Sequence, residues 1–582
     1  MKRKIVCNVG PTNSGKTYQA MLHLAESEGV FCGPLRLLAY EGYKTLSDKG
    51  CKVNLITGET RIENYNYKAV RQVCSTIEMA NINRKYKVGI LDEIQMIACP
   101  QRGYGWSRAL LNLPAETLYV CGEERAVPLC ERLIKTYTDD DFQVNTFKRL
   151  SPLEIMKKHI SNQEVKKGDC ILCFGRKQVL MYKGKMEAIG LKVSVIYGTL
   201  PPEARVEQAR LFNEGINDII IGTDAIGMGL NLQIQRIIFS ESMKFNGNLL
   251  VYLEDPTVRQ LAGRAGRFSS NIQEGLVTAF EKPVLDFVRG SYNSVPVPIE
   301  EATLSFTLEE LHKIKENNPK YKLKDILQHF FDTPVPAGFK YQDVQAIIRV
   351  SNLITPLEGY SLRDQYSFLL APVKIKRMIS LSESFFLYII SRFIKGEFAD
   401  PLEFFRTRTL IRNSNLFSKN PSTIWTTYAN LTNIGDVDFI VRPLPSQINS
   451  QQGFNVTASW NELFSKDAFK IQNSNIVEDM YSCISLYLWI RNRFYFHPTF
   501  NFDNNTTVTT RILEDALEFL ASICSKSVQK SAIRMNFGNG NPKEKWSFNK
   551  ASASSSPTTK GSQKRTKKQK SKRVLAIRDL SK

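Results

Sequence analysis

The 582-residue sequence has no apolar run approaching the ~20 residues that cross a bilayer. Its two longest apolar stretches, Phe385 to Ile394 and Ile484 to Ile490, are interrupted by Arg392 and stopped by Arg491. No stable membrane insertion is therefore expected. Its eleven cysteines fall at no metal spacing. Cys170-Ile-Leu-Cys173 is the sole Cys-x-x-Cys; it lies in an apolar run ending at Phe174 and has no second pair, so zinc is not expected. Buried, reduced thiols fit better, together with a reducing compartment. No secretory signal precedes the first apolar run. Nor does an arginine-rich amphipathic leader, and a processed or truncated chain, or a mis-set start, is the expectation.

What the chain has in excess is positive charge. It carries 78 Lys and Arg against 57 Asp and Glu, a net +21, with an isoelectric point near 9.4. Such a balance favours a polyanionic partner, nucleic acid or an acidic membrane surface. Part of it is local, because residues 560–582 hold ten Lys or Arg and one Asp. Hydrophobic content of 42% is ordinary for a globular chain. The length suggests three or four domains at about 150 residues each.

The chemistry begins at residues 10–17, Gly-Pro-Thr-Asn-Ser-Gly-Lys-Thr. An apolar run, Ile5 to Val9, precedes them, and a helix-competent stretch, Tyr18 to Glu26, follows. Strand, loop and helix in that order are the context a phosphate loop requires. Gly10 and Gly15 leave room for backbone N–H groups to turn inward, with Pro11, Thr12, Asn13 and Ser14 between them. Lys16 reaches the β- and γ-phosphates, and the Thr17 hydroxyl ligates Mg²⁺.

Asp92-Glu93-Ile94-Gln95 follows a second apolar run, Val88 to Leu91. An acidic pair at the carboxyl end of a buried strand sits where such folds place metal and water chemistry. Asp92 suits Mg²⁺, and Glu93 suits orientation and deprotonation of an attacking water. The bland alternative is an exposed acidic turn. Farther on, residues 260–267 read Gln-Leu-Ala-Gly-Arg-Ala-Gly-Arg. Arg264 and Arg267 lie three apart, on one face of a helical turn, with small residues permitting close approach. Arginines so placed stabilise charge on a transferring phosphoryl group. A basic helix face explains the charge but not the repeated small residues.

The order of these blocks resembles a superfamily 2 RNA helicase, and specifically the Suv3 family of mitochondrial ATP-dependent RNA helicases. Matching segments are the phosphate loop through Tyr18, Pro34 to Ala39, Thr57-Gly58-Glu59, Ser75 to Met79 and Asp92 to Met96. Cys121-Gly122-Glu123, Ile196 to Pro202, Gly222 to Asn231 and Gln260 to Phe268 continue the series. Weaker matches are Arg363 to Tyr366 with Ala371 to Val373, and Tyr487-Leu488-Trp489. The likeness runs from about residue 5 to about residue 500.

The resemblance implies ATP and Mg²⁺, 3′-to-5′ unwinding of RNA, and mitochondrial RNA turnover with a 3′ exoribonuclease in a degradosome-type complex in the matrix. It assigns nucleotide contacts to Gly227 and Gly229 and a catalytic role to Gln260. It makes Arg36 and Thr76 in the first domain and Thr223 in the second candidates for the RNA phosphates, and gives Asp224 a ribose or coupling role. Gln95 departs from the His of a DEAH sequence. No upstream glutamine motif for reading adenine precedes Val9, so ATP over other nucleotides rests on the resemblance.

The expected fold is α/β, two RecA-like parallel-sheet domains in tandem, over 1–148 and 149–295. A helical C-terminal region over 296–537 and a disordered basic tail over 538–582 complete it. Strands are expected at Ile5–Val9, Leu35–Ala39, Val88–Leu91 and Leu118–Cys121 in the first domain. Those of the second are Cys170–Phe174, Val193–Ile196, Ile219–Ile221 and Arg236–Phe239, with a helix starting at Pro201 and Pro202. Val295-Pro-Val-Pro298 reads as a linker. Met480, Cys483, Ile484, Tyr487 and Leu488 form a helical stripe, best explained as core packing. Two other functions stay open: a DNA helicase or translocase, since phosphate contacts carry no base information, and a non-catalytic RNA-binding scaffold, which the intact motif residues oppose.

Overall fold

The computed structural model describes residues 2–58, 60–63, 71–246, 249–266, 274–375, 381–397, 399, 404 and 474–494. The expectations placed on Arg267 and on the basic tail lie outside them.

The first sheet is built from β1 (Lys4–Val9), β2 (Gly29–Gly33), β3 (Val53–Ile56), β4 (Arg61–Ile62), β5 (Gln72–Thr76), β6 (Tyr86–Leu91), β7 (Ala115–Gly122) and β8 (Asp141–Thr146). Their order is β4-β3-β5-β2-β6-β7-β1-β8, with only the β3–β4 pair antiparallel. Val, Ile, Leu and Cys fill the central strands on both faces, as helix-covered parallel strands require. One expected strand is corrected. Leu35–Ala39 is not a strand: a helix, Arg36–Asp48, begins there, and the strand is β2 just before it. The apolar run misled because Ala39 and Leu46 continue it at helical spacing, on the face turned to the core.

The second sheet contains β9 (Leu153–Ile155), β10 (Asp169–Leu172), β11 (Val193–Ile196), β12 (Ile219–Gly222), β13 (Arg236–Phe239) and, after an antiparallel pair of strands, β14 (Met243–Phe245) and β15 (Leu250–Tyr252), a further strand β16 (Gly275–Ala279). Its order is β11-β12-β10-β13-β16-β9, all parallel. The two RecA-like sheets are thus those expected, and the helix Pro202–Asn213 opens with proline in its first turn. Cys170 and Cys173 are buried in this lobe, and burial pushes the Cys173 thiol up to about 12.

Beyond the exposed Val295 and Val297 the chain returns to the first lobe before turning helical. A short parallel pair, β17 (Ala302–Leu304) and β18 (Phe339–Tyr341), packs there, where the Ser107 hydroxyl donates to the Thr303 carbonyl at 2.7 Å. The rest is helical. The helices Leu381–Lys395 and Ser474–Phe494 share an apolar core with the second lobe. Within the latter helix Cys483, Ile484, Tyr487 and Leu488 are buried, as the stripe predicts. Among the described residues no helix is long and apolar enough to cross a membrane.

Candidate nucleotide-binding cleft

The phosphate loop leaves the carboxyl end of β1, and the acidic block leaves β6. Between those strands lies β7, which ends in Cys121-Gly122. Sheet order therefore brings three distant sequence blocks to one edge. Gly10 opens the loop, and its N–H donates to the Gly122 carbonyl at 3.1 Å. A Cβ at Gly10 would stand 2.4 Å from the Phe147 carbonyl oxygen, so no larger residue fits. Gly15, with φ 79°, precedes the helix Lys16–Glu26 in a left-handed conformation that favours glycine.

The Thr17 hydroxyl donates to the Asp92 carboxylate at 2.9 Å. Burial, and then the neighbouring Glu93 charge, raise Asp92 to about 7, while Lys16 and the Thr17 hydrogen bond pull it down. Such a carboxylate gains most from a cation. Among the described residues no group of three or more His, Cys, Asp or Glu could hold a metal. Hydroxyl and single carboxylate match instead a Mg²⁺ that keeps waters and phosphate oxygens as its other ligands. Lys16 Nζ donates to the Pro11 carbonyl at 3.1 Å, within its own loop. The Ser14 hydroxyl is buried in that loop with no hydrogen-bond partner, a cost that an incoming anion would relieve. These observations fit a nucleotide triphosphate with Mg²⁺.

Glu93 has φ 53°, left-handed for a residue that rarely adopts it. Strain of this kind persists where the surroundings enforce it and clusters at active sites. The Met96 N–H holds the Glu93 carbonyl at 2.9 Å, and Gln95 holds its side chain. The Gln95 side-chain amide donates to the Glu93 carboxylate at 2.5 Å, and its carbonyl accepts the Glu123 N–H at 3.2 Å. A Cβ at Gly122 would stand 2.5 Å from that same Gln95 oxygen. Gln95 thus ties the acidic block to the Cys121-Gly122-Glu123 block, whose role the sequence left unassigned. Trp106 supports the turn by donating from Nε1 to the Asp92 carbonyl at 2.9 Å.

The second lobe meets this edge at the turn after the helix Asp255–Ala262. Here the arginine placement is corrected. Arg264 is not on a helical face, because the helix ends at Ala262 and a turn through Gly266, φ 63°, follows. Its guanidinium is buried in its own lobe and donates to the carbonyls of Leu230, at 3.0 Å, and Gly227. The small residues do permit approach: a Cβ at Gly263 would lie 2.8 Å from Thr12 Cβ. Gln260 is half-buried on the helix before the turn, beside Gly227.

Sequence reading missed Arg149. It took Arg149 to Pro152 as a simple join. Arg149 instead donates to the Thr12 carbonyl at 3.0 Å, to the Gly263 carbonyl at 2.8 Å and to the Ala265 carbonyl, so one guanidinium grips the phosphate loop and the arginine turn together. Asn13, at φ 65°, donates to the Ser151 hydroxyl at 2.8 Å and to the Gly266 carbonyl at 3.2 Å. The available signal was an arginine at the domain division, three residues before Pro152, which is too common to single out.

The other candidates line the neighbouring part of the cleft. Thr76 ends β5 and pairs in register with Gly33 at the end of β2, one residue before the block that contains Arg36. Gly229, φ 77°, packs on Leu35 and Leu37 of that block. Thr223 is buried and caps the following turn by accepting the Ala225 N–H at 3.3 Å, whereas Asp224 is exposed. Burial, and then the positive charge of Arg36 opposite, hold the Arg205 guanidinium below its usual range. Arginines from both lobes thus face one another where the two sheets meet.

Residues 1–147 match the DEXQ-box helicase domain of Suv3, and residues 151–269 match the helicase conserved C-terminal domain. The chain belongs to the Suv3 helicase family. It is 41% identical over 387 residues to the DExH-box ATP-dependent RNA helicase DExH16, mitochondrial, of Arabidopsis thaliana, covering 65% of this chain and 66% of that one. It is 34% identical over 525 residues to the ATP-dependent RNA helicase SUV3, mitochondrial, of Candida albicans, covering 88% and 66%. With SUPV3L1, mitochondrial, of Danio rerio the figures are 38% over 388 residues, covering 65% and 51%. The chain therefore spans half to two thirds of the length of these relatives.

Proposed function

We propose that this chain is an ATP-dependent RNA helicase of mitochondria that hydrolyses ATP between its two lobes and moves 3′-to-5′ along one strand. The observation that carries the reading is the 2.9 Å hydrogen bond from Thr17 to Asp92, below a phosphate loop with an unmatched buried hydroxyl. These two side chains would hold a Mg²⁺, which would supply charge neutralisation on the triphosphate. Lys16 adds a point charge there, and Gly10 to Gly15 cradle the phosphates. Glu93 takes the proton of the attacking water, and Gln95 fixes the direction of its carboxylate. Gln260, Arg264 and Arg267 act from the second lobe. Arg267 is the finger for the transferring phosphoryl group in this reading, because the Arg264 guanidinium is buried in its own lobe and donates to the Gly227 and Leu230 carbonyls.

Arg36 and Thr76 on one lobe, and Thr223 and Asp224 on the other, contact the RNA backbone. The net charge of +21 supports a polyanionic partner. The preference for RNA and the mitochondrial setting rest on the names of the relatives; direction and a 3′ exoribonuclease partner in a degradosome-type complex rest on the family resemblance. Domain divisions near 148, 295 and 537 belong to the same proposal. The test is ATPase and unwinding on matched RNA and DNA duplexes carrying 3′ or 5′ overhangs. RNA-stimulated turnover and unwinding from the 3′ overhang are expected. Stimulation by DNA alone would give the DNA translocase reading instead, and no turnover with either would leave a binding scaffold.

A further inference from the structure

The helix Ser474–Phe494 touches both lobes, by different chemistry at its two ends. Near its start Glu478 is only 5% exposed. Its carboxylate accepts from the Tyr197 hydroxyl at 2.8 Å and the Thr199 hydroxyl at 2.7 Å, and pairs with Arg176 at 3.1 Å. Arg176 opens the helix after β10, while Tyr197 and Thr199 follow β11. All three donors thus come from the carboxyl edge of the second sheet, the edge that carries Thr223 after β12 between them. A buried carboxylate with several directed donors is a rigid joint, because removing any partner strands a charge. Tyr481 adds a hydrogen bond to Glu203 of the same lobe at 2.8 Å.

Eleven residues further on, about 16 Å along a helix, the contact is with the first lobe and is of another kind. Trp489 lies against Gly58, where a Cβ would stand 3.1 Å from its ring. Arg493 lies over the indole, 4.3 Å from its centroid. An aromatic edge on a residue without a side chain resists separation but not sliding. Gly58 belongs to the Thr57-Gly58-Glu59 block that follows β3, whose last residue, Ile56, pairs in register with Ser75, one residue before the RNA candidate Thr76.

We infer that this helix is a lever fixed to the second lobe by Glu478, whose tip, Trp489, rides on Gly58 and couples lobe movement to the first lobe's nucleic-acid edge. Glu478 and Trp489 are positioning residues, since neither touches the nucleotide cleft. The inference rests on the helicase reading above. When the lobes close or open, the joint carries the helix with the second lobe, and the displacement is taken up at Gly58. Losing the tip then leaves hydrolysis intact and disconnects it from stepping.

The experiment uses the full chain with Glu478→Gln, Trp489→Ala, Trp489→Phe and Gly58→Ala. RNA-free ATPase, RNA-stimulated ATPase and base pairs unwound per ATP are measured, with melting temperatures as a folding control. Trp489→Ala and Glu478→Gln are expected to keep RNA-free turnover and lose roughly 2- to 30-fold in base pairs unwound per ATP. Trp489→Phe should recover most of that loss, and Gly58→Ala should reproduce it by obstructing the tip. Folded variants with unchanged base pairs per ATP would overturn the inference. So would a parallel fall in RNA-free turnover and unwinding, the mark of a purely structural helix. A wild-type chain that RNA does not stimulate would remove the helicase reading itself, and the lever with it.

Discussion

The two lobes share a fold and differ in how their functional groups are held. In the first lobe the candidate side chains face the cleft after β1 and β6, on either side of β7, and pair with one another: Thr17 with Asp92, Gln95 with Glu93. In the second lobe the matching arginine is turned away. Arg264 is buried and hydrogen-bonded to Gly227 and Leu230, stabilising the loop that carries Thr223 and Asp224. One lobe presents chemistry, and the other uses an equally recognisable motif to hold its own backbone. What joins them is the linker's Arg149, which donates to Thr12 and Gly263, and the phosphate loop's own Asn13, which donates to Ser151 and Gly266.

The sharpest way to break this contrast is at the first lobe. Lys16→Ala should bring ATP turnover to background. Glu93→Gln should also stop turnover, by about 10²- to 10⁴-fold for a lost general base, while ATP binding survives because Thr17 and Asp92 remain. Steady-state ATPase with a fluorescent-nucleotide titration separates the two. Near-normal turnover in folded Lys16→Ala would remove the site.

Next comes the pair of arginines. If only Arg267 acts as the finger, Arg267→Ala should lose on the order of 10³- to 10⁵-fold in rate at an unchanged melting temperature. Arg264→Ala should instead destabilise the fold, by about 1–3 kcal/mol for buried carbonyls left without a donor. Thermal melts beside ATPase rates decide this, and a stable, inactive Arg264→Ala would restore Arg264 to the phosphate.

The smallest effect is expected at the linker. Arg149→Ala should displace the arginine turn from the phosphate loop and cost about 10²-fold in kcat, with ATP affinity little altered, because no nucleotide-holding side chain is removed. An unchanged kcat would show that the lobes find each other without Arg149.

Much of this was legible in the chain. The phosphate loop, the acidic block and seven of the eight expected strands are where the residue pattern puts them, because glycine positions and buried strands impose local constraints. Leu35–Ala39 failed because a five-residue apolar run satisfies both strand and helix periods, and only packing on β2 and β5 chose between them. Arg264 shows another limit: a residue type and spacing say that a guanidinium is present, not that the helix stops at Ala262 or which acceptors lie within its reach.

By itself, then, the sequence determined the class of the protein and the identity of the groups in its first lobe. Those depend on short stretches whose geometry is local. Tertiary structure alone decided what β7 does between the two reactive blocks, that Gln95 binds Glu93 to Glu123, that Arg149 spans the lobes, and that Glu478 anchors a distant helix on Tyr197 and Thr199. Each of these is a contact between residues far apart in the chain, except at Gln95, where the acceptor is near but the strand that fixes it is not. Such contacts are set by the order in which strands pair, and no local pattern encodes that order.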